Sequence, residues 1–148
     1  MLFKFICSVS LGLQNASLCT PCTEGYYCEF PGWTNVTGPC KQGFYCPKYS
    51  TSSQQITCPQ GSYCPTGSGQ PISCPIGTFS NQTRLWKKSQ CTNCTAGFYC
   101  DSDGKTSPSG KCQSGYYCPI GSKSMMQVDC PIGFHCPSGI LTQFDIIQ

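Results

Sequence analysis

Charged residues are few in this 148-residue chain, and long apolar runs are missing. Only 10% of the residues are charged and the net charge is +3, which is too weak and too dispersed for a nucleic-acid-binding surface with its clustered basic stripe. No apolar run reaches the roughly 20 residues of a membrane-spanning helix. Aliphatic residues are scarce, so we expect no large hydrophobic core and predict neither a nucleic-acid partner nor a membrane span within this chain.

Side chains for general acid–base chemistry are also scarce. His135 is the only histidine, and the six carboxylates are scattered, mostly in predicted turns. No Ser-His-Asp or Cys-His pair can be assembled around a dedicated base. The sequence therefore predicts a protein that is not an enzyme and that uses no cofactor.

Cysteine is abundant instead. Sixteen of the 148 residues are cysteine, above the roughly 8–10% that is typical of a disulfide scaffold in a short secreted chain. Cytosolic glutathione would keep so many thiols reduced, so we expect an oxidising compartment: a secreted protein or the extracellular face of a membrane protein. Sixteen glycines and twelve prolines favour turns and short strands over long helices.

The cysteines form a tandem repeat. A first block, 19–90, is followed by an incomplete second block, 91–140, in which seven cysteines recur 72 residues later: Cys19, Cys22, Cys28, Cys40, Cys46, Cys58 and Cys64 map onto Cys91, Cys94, Cys100, Cys112, Cys118, Cys130 and Cys136. Inside each block two cysteine positions also recur every 18 residues, as at Cys22, Cys40 and Cys58. Arrays of this kind are built from units that depend on neighbours or on covalent staples.

Each 18-residue unit carries the motif Cys-x-x-Gly-aromatic-x-Cys. Six copies are present, with Ser62 as the one exception at the aromatic place: CTEGYYC, CKQGFYC, CPQGSYC, CTAGFYC, CQSGYYC and CPIGFHC. The glycine predicts a turn with positive φ or a backbone pressed against a sulfur. Alternation along the extended piece places five tyrosines in a ladder, which we interpret as packing on disulfides: Tyr27, Tyr45, Tyr63, Tyr99 and Tyr117.

These features together predict the fold class. We expect a small disulfide-rich fold: an elongated array of 18-residue turn and short-β units in two 72-residue blocks, with little helix and a minimal hydrophobic core.

The asparagines support the same cellular compartment. All four open an Asn-x-Ser/Thr sequon, which predicts N-glycans at Asn15, Asn35, Asn81 and Asn93. Asn93 lies inside a Cys-x-x-Cys segment, where a folded disulfide would hinder the transferase.

Residues 1–18 have two interpretations. Residues 2–13 are mostly apolar with Lys4 early and Ala16 as a cleavage position, which is typical of a short signal peptide. Alternatively, Ser8 and Leu13 fall on Ser80 and Leu85 after a shift of 72, so the segment is the end of an earlier repeat. Residues 141–148 abandon the repeat and form a non-repeat tail. The second interpretation predicts that the chain is a fragment of a larger protein.

Other chemistries of these motifs are less favoured. Two Cys-x-x-Cys pairs separated by 72 residues do not fit a zinc ribbon, whose pairs lie roughly 15–20 residues apart. A thioredoxin-like dithiol needs a βαβ context that this chain lacks. Asp101-Ser-Asp103-Gly104 is similar to the start of a calcium loop, but Cys112 stands where the bidentate Glu belongs. We therefore predict a turn there and no metal site.

At the level of families, the CPIGTFSNQT string followed by QCTNCTAGFYC, and the CPxGxYCPxGS units around it, resemble ephrin-receptor-like (GCC2/GCC3-type) cysteine-rich repeats over about residues 8–139. The CPxGT to CxxC portion is also similar to the first module of tumour-necrosis-factor-receptor repeats. The resemblance implies extended, disulfide-laddered spacers that sometimes serve as ligand surfaces, with no catalytic residues. It also suggests a bond between Cys74 and Cys91.

Given that bond, the remaining cysteines can be counted. Six are left from Cys94 to Cys136, and six from Cys22 to Cys64 if Cys19 bonds the one upstream cysteine, Cys7. Within each six, the 18-residue translation is preserved by bonds inside a unit, such as Cys22 to Cys28, or by bonds from one unit to the next, such as Cys28 to Cys40. The first version leaves no cysteine over and is the one we favour, although six cysteines allow 15 connectivities.

Two functions fit the sequence. The first is an extracellular spacer or adhesive stalk of a larger protein, and the second is a ligand-binding ectodomain of a receptor-type protein. In both cases the expected partner is another protein, an extracellular ligand or matrix. A binding module should show a non-repeat apolar patch, and the candidate is Phe30, Trp33, Leu85 and Trp86; exposed aromatics would be anchors, and buried ones ordinary packing.

Overall fold

The computed structural model describes residues 5–6, 20–30 and 35–140 of the chain. The described part contains no α-helix and has one short 3-10 turn, Lys88–Gln90. Its strands are two residues long: β1 Phe5–Ile6, β2 Thr20–Pro21, β3 Tyr26–Tyr27, β4 Gly38–Pro39, β5 Phe44–Tyr45, β6 Ile56–Thr57, β7 Ser62–Tyr63, β8 Ile72–Ser73, β9 Thr78–Phe79, β10 Thr92–Asn93, β11 Phe98–Tyr99, β12 Gly110–Lys111, β13 Tyr116–Tyr117 and β14 Val128–Asp129. Frequent glycine and proline keep the strands this short.

Each strand pairs only with its neighbour along the chain. Antiparallel pairing joins β1 to β2, β3 to β4, β5 to β6, β9 to β10, β11 to β12 and β13 to β14, and β7 and β8 form a two-stranded sheet of their own. Tyr27 lies opposite Gly38, and Tyr99 lies opposite Gly110. In both pairs the ring lies over the glycine, 3.4 Å and 3.3 Å from the place of a Cβ, so glycine makes room for the ring.

The hairpins β3–β4 to β13–β14 define six repeats in the described part of the chain, and a seventh cysteine motif follows them. Repeats 1 to 7 begin at Cys22, Cys40, Cys58, Cys74, Cys94, Cys112 and Cys130. Six carry the cysteine motif identified in the sequence. The structure adds repeat 4, in which Cys74-Pro-Ile-Gly-Thr-Phe-Ser80 has the same hairpin, and the buried Ser80 stands where the other repeats have their second cysteine.

Half-cystines form the core of these repeats. Most of the buried apolar residues are cysteines, and outside them only Phe44, Leu85 and Ile140 are buried among the described residues. The predicted small disulfide-rich fold of short strands and turns with a minimal hydrophobic core is confirmed. Stability must then come from crosslinks and backbone hydrogen bonds, because little apolar surface is removed from water.

The chain divides into two compact units. The first runs to Pro59 and also includes Tyr63–Ile72 and Thr83–Lys87. The second contains Gln60–Ser62, Ser73–Gln82 and the described residues from Lys88 onward. Repeats 1 and 2 belong to the first unit, and repeats 5 to 7 belong to the second.

Candidate functional site

Seven disulfides crosslink the described residues. Six close a repeat on itself across six residues: Cys22–Cys28, Cys40–Cys46, Cys58–Cys64, Cys94–Cys100, Cys112–Cys118 and Cys130–Cys136. The seventh joins Cys74 to Cys91. The structure thus has bonds within repeats, one of the two alternatives that the sequence left open. None of the cysteines among the described residues is free, whereas Cys7 and Cys19 lie outside them.

Adjacent repeats are joined by a fixed set of backbone hydrogen bonds. The turn glycine donates its N–H to the carbonyl of the second motif cysteine in the next repeat, as in Gly25 to Cys46 at 2.8 Å and Gly97 to Cys118 at 2.8 Å. In return, the first cysteine of the next repeat donates to that glycine's carbonyl, as in Cys40 to Gly25 at 2.8 Å. Ser80 accepts the equivalent bond from Gly61. Contact between repeats is therefore built from main-chain atoms rather than from surface side chains.

The turn glycine is required for two physical reasons. Gly77 has φ +85°, and a Cβ there would lie 2.6 Å from the carbonyl oxygen of Gly121, which belongs to the second repeat further along. Gly25 faces the carbonyl of Gly67 in the same way within the first compact unit. Positive φ was one of the two explanations predicted for this residue. The close neighbour, however, is a carbonyl oxygen rather than a sulfur.

A second positive-φ position is not always glycine. In each repeat after the first, one residue donates its N–H to the carbonyl of the previous repeat's first cysteine: Tyr49, Gly67, Arg84, Gly104, Gly121 and Gly139. All six have positive φ, including Tyr49 at 70° and Arg84 at 65°. Non-glycine residues in this region cost about 1–2 kcal/mol each, so these two side chains are held there against a local conformational preference.

The residue after that position is buried in five of these six repeats, Lys105 being the half-buried exception, and its importance was missed from sequence. Its carbonyl accepts the N–H of the second motif cysteine in the previous repeat, as in Cys28 to Ser50 and Cys100 to Ser122, both at 2.9 Å. The Ser122 hydroxyl also donates to the Pro119 carbonyl at 2.6 Å. The signal was present in the sequence as Pro-x-Gly-Ser, but only its Pro and Gly were interpreted.

The four residues of the candidate patch do not share one environment. Leu85 is buried, at 4% exposure, because it occupies the same position as Ser50 and its carbonyl accepts the Cys64 N–H at 2.9 Å. Leu85 is therefore a packing residue. Phe30 and Trp86 are exposed, at 48% and 38%. Trp33 lies outside the described residues.

Two cations lie over aromatic rings near this patch. The Arg84 guanidinium carbon is 4.9 Å from the Phe44 ring centroid, and the Lys87 Nζ is 4.6 Å from the Trp86 ring centroid. Phe44 is buried although the equivalent Tyr26 in repeat 1 is exposed. Arg84 therefore covers Phe44, and contacts of this kind contribute about 0.5–1 kcal/mol at exposed sites.

The segment that is similar to a calcium loop is occupied by protein donors. The Asp101 carboxylate accepts a hydrogen bond from the Ser109 hydroxyl at 2.5 Å and lies 3.6 Å from the Lys105 ammonium. The Asp103 carboxylate accepts the Ile76 N–H at 2.7 Å. The Ser109 bond is the main cause that lowers the pKa of Asp101 below its ordinary value. Both carboxylates thus already have protein partners.

Three of the four sequon asparagines are described, and all three are exposed: Asn35, Asn81 and Asn93. Asn93 lies in β10, directly before the crosslinked Cys94, and lines a cleft of about 480 Å³ with Pro75 and Lys88. Its amide is thus open to solvent although its backbone is fixed in a hairpin. Asn15 lies outside the described residues.

The predicted tyrosine ladder is partly exposed. Tyr27, Tyr45, Tyr63, Tyr99 and Tyr117 are all half-buried, whereas His135, which replaces the next tyrosine, is exposed. The rings of Tyr27 and Tyr99 lie over the glycine across their hairpins, and packing on disulfides stays a prediction.

No protein-family model matches the chain, and no curated protein is significantly similar to it. Within the described ranges, no group of three or more His, Cys, Asp or Glu side chains is arranged to hold a metal ion. The same ranges contain no helix that is long and apolar enough to cross a membrane.

Proposed function

We propose that the chain is an extracellular structural and interaction module, a disulfide-laddered spacer or adhesive stalk within a larger secreted or cell-surface protein. The observation that carries this proposal is the hydrogen-bonded contact between adjacent repeats. Main-chain hydrogen bonds of the same kind connect each described repeat to the next, from Gly25 with Cys46 to Gly115 with Cys136. Because the joint does not depend on surface side chains, the array can be lengthened while its surface varies.

The crosslinks support the proposed location. Disulfide bonding this extensive is typical of extracellular proteins. In the chain-entropy model each short crosslinked loop contributes about 2–3 kcal/mol by restricting the unfolded chain. That contribution suits a spacer, which must stay folded with a thin core. The resemblance to ephrin-receptor-like repeats and the exposed sequons at Asn35, Asn81 and Asn93 favour the same assignment.

Small-angle scattering tests the spacer assignment. A compact 148-residue globule has a radius of gyration of about 15 Å. For the oxidised chain with its N-glycans removed, a spacer requires a clearly larger value and the scattering profile of an elongated particle. A value at the globular figure would contradict the spacer and favour the receptor-type alternative.

The alternative is a ligand-binding ectodomain. The observation that favours it is the exposure of Phe30 and Trp86, since large exposed aromatics are enriched among binding anchors. An alanine variant at either position that lost binding to a purified extracellular partner, with its disulfides intact, would establish this alternative.

A further inference from the structure

Positive and negative charges are separated along the chain. No Asp or Glu occurs between Glu29 and Asp101, although that stretch contains five cationic residues: Lys41, Lys48, Arg84, Lys87 and Lys88. The ion pair between Asp101 and Lys105 lies outside this stretch. The central repeats therefore carry a positive potential that no carboxylate of their own sequence neutralises.

Four of these cations belong to repeats 2 and 4 within the first compact unit. Lys41, Lys48, Arg84 and Lys87 are all exposed. The two repeats meet where the Arg84 carbonyl oxygen lies 2.9 Å from the place of a Cβ on Gly43 and where the guanidinium covers Phe44. Lys41 lies at this contact, since its carbonyl accepts the Phe44 N–H. We call the exposed side chains of Lys41, Arg84, Trp86 and Lys87 the cation–aromatic surface.

Arg84 belongs to this surface although its backbone has a positive φ, a conformation that favours glycine. Four of the six residues at its position are glycine, which adopts φ near +65° without steric cost. Strained residues of this kind cluster at functional sites. The cation–π contact offsets part of the cost, and the guanidinium remains exposed to a ligand.

The chemistry of the surface indicates its ligand. Exposed guanidinium and ammonium groups form charge-assisted hydrogen bonds with sulfate and carboxylate groups. Trp86, with the Lys87 Nζ 4.6 Å from its ring centroid, adds an indole that is 38% exposed and against which the C–H face of a sugar ring can pack. We propose that the cation–aromatic surface binds an acidic polysaccharide. This binding goes beyond the spacer role, which needs no ligand.

The test measures binding of the oxidised, full-length chain to heparin, hyaluronate and poly-glutamate at two salt concentrations. We expect heparin to bind most tightly and to weaken as salt is raised, because salt screens the interaction of exposed charges. The variant Lys41→Gln/Lys87→Gln keeps Arg84 on Phe44 and should lose about tenfold in heparin affinity. Trp86→Ala should weaken binding while leaving its salt dependence unchanged.

The matched control is Lys111→Gln/Lys123→Gln, which removes the same charge from repeats 5 and 6. We expect it to change heparin affinity less than threefold, or about 0.7 kcal/mol. Equal losses in both double variants, or poly-glutamate binding as tight as heparin binding, would overturn the proposal. An elongated chain that binds no polyanion would overturn it too, but would leave the spacer role intact.

Discussion

Replacing Gly77 with alanine tests how the repeats are stacked. At φ +85° an alanine costs about 1 kcal/mol relative to glycine once the lower entropy of the unfolded alanine chain is included. Its Cβ would also lie 2.6 Å from the Gly121 carbonyl oxygen, so the backbone of repeat 6 must shift. Overpacking of this kind costs about 1–3 kcal/mol. We therefore expect Gly77→Ala to lower the free energy of unfolding by about 2–4 kcal/mol.

Gly115 provides the matched control. It has φ +86°, but a Cβ there would meet no atom within 4 Å, so Gly115→Ala should cost only the conformational share of about 1 kcal/mol. Guanidinium unfolding of both oxidised variants, followed by circular dichroism, measures the difference. Equal destabilisation would show that the glycine is needed for its φ alone, and the carbonyl contact would then have no role in stacking.

Three further outcomes follow from single positions. Tyr49→Gly should raise the free energy of unfolding by about 0.5–1 kcal/mol, because glycine relieves the positive φ; a loss in denaturant melts would mean that contacts of the ring outweigh the strain. Ser122→Ala should lower it by about 1 kcal/mol through the lost bond to Pro119, and an unchanged unfolding midpoint would refute that. Ser109→Ala should raise the pKa of Asp101 toward its ordinary value in an NMR titration. Since the native pKa is lowered, the stabilisation from this bond is present at neutral pH and is lost as pH falls through the native value; an unaltered titration would contradict the assignment.

Cysteine spacing predicted the fold class because every repeat carries its own crosslink. It left two bonding patterns open, since bonds within units and bonds between units both preserve an 18-residue translation. The structure has the bonds within units. Cys40 and Cys46, for example, flank one strand and are bonded with their Cα atoms 5.8 Å apart, a separation that a disulfide spans.

The structural features that the sequence did not predict are not marked by a characteristic residue type. Repeat 4 was missed because the motif was defined by two cysteines, and Ser80 replaces one of them while keeping the same backbone bonds. Leu85 is buried because it occupies the position of Ser50 in the main-chain hydrogen-bond pattern. The sequence does not show that pattern, and the apolar side chain therefore suggested an exposed patch. Arg84 and Tyr49 take a conformation that favours glycine, and residue preference alone predicts the opposite.

A disulfide map made without reduction tests the central claim that each repeat closes on itself. Trypsin cleaves after Lys111 and Lys123, which releases a peptide whose only cysteines are Cys112 and Cys118. Bonding within repeats predicts that mass spectrometry finds this peptide alone, lighter than its reduced form by the hydrogens lost in forming the bond. Recovery of the peptide only in linkage to a fragment that contains Cys100 or Cys130 would show bonding between repeats and would contradict the account.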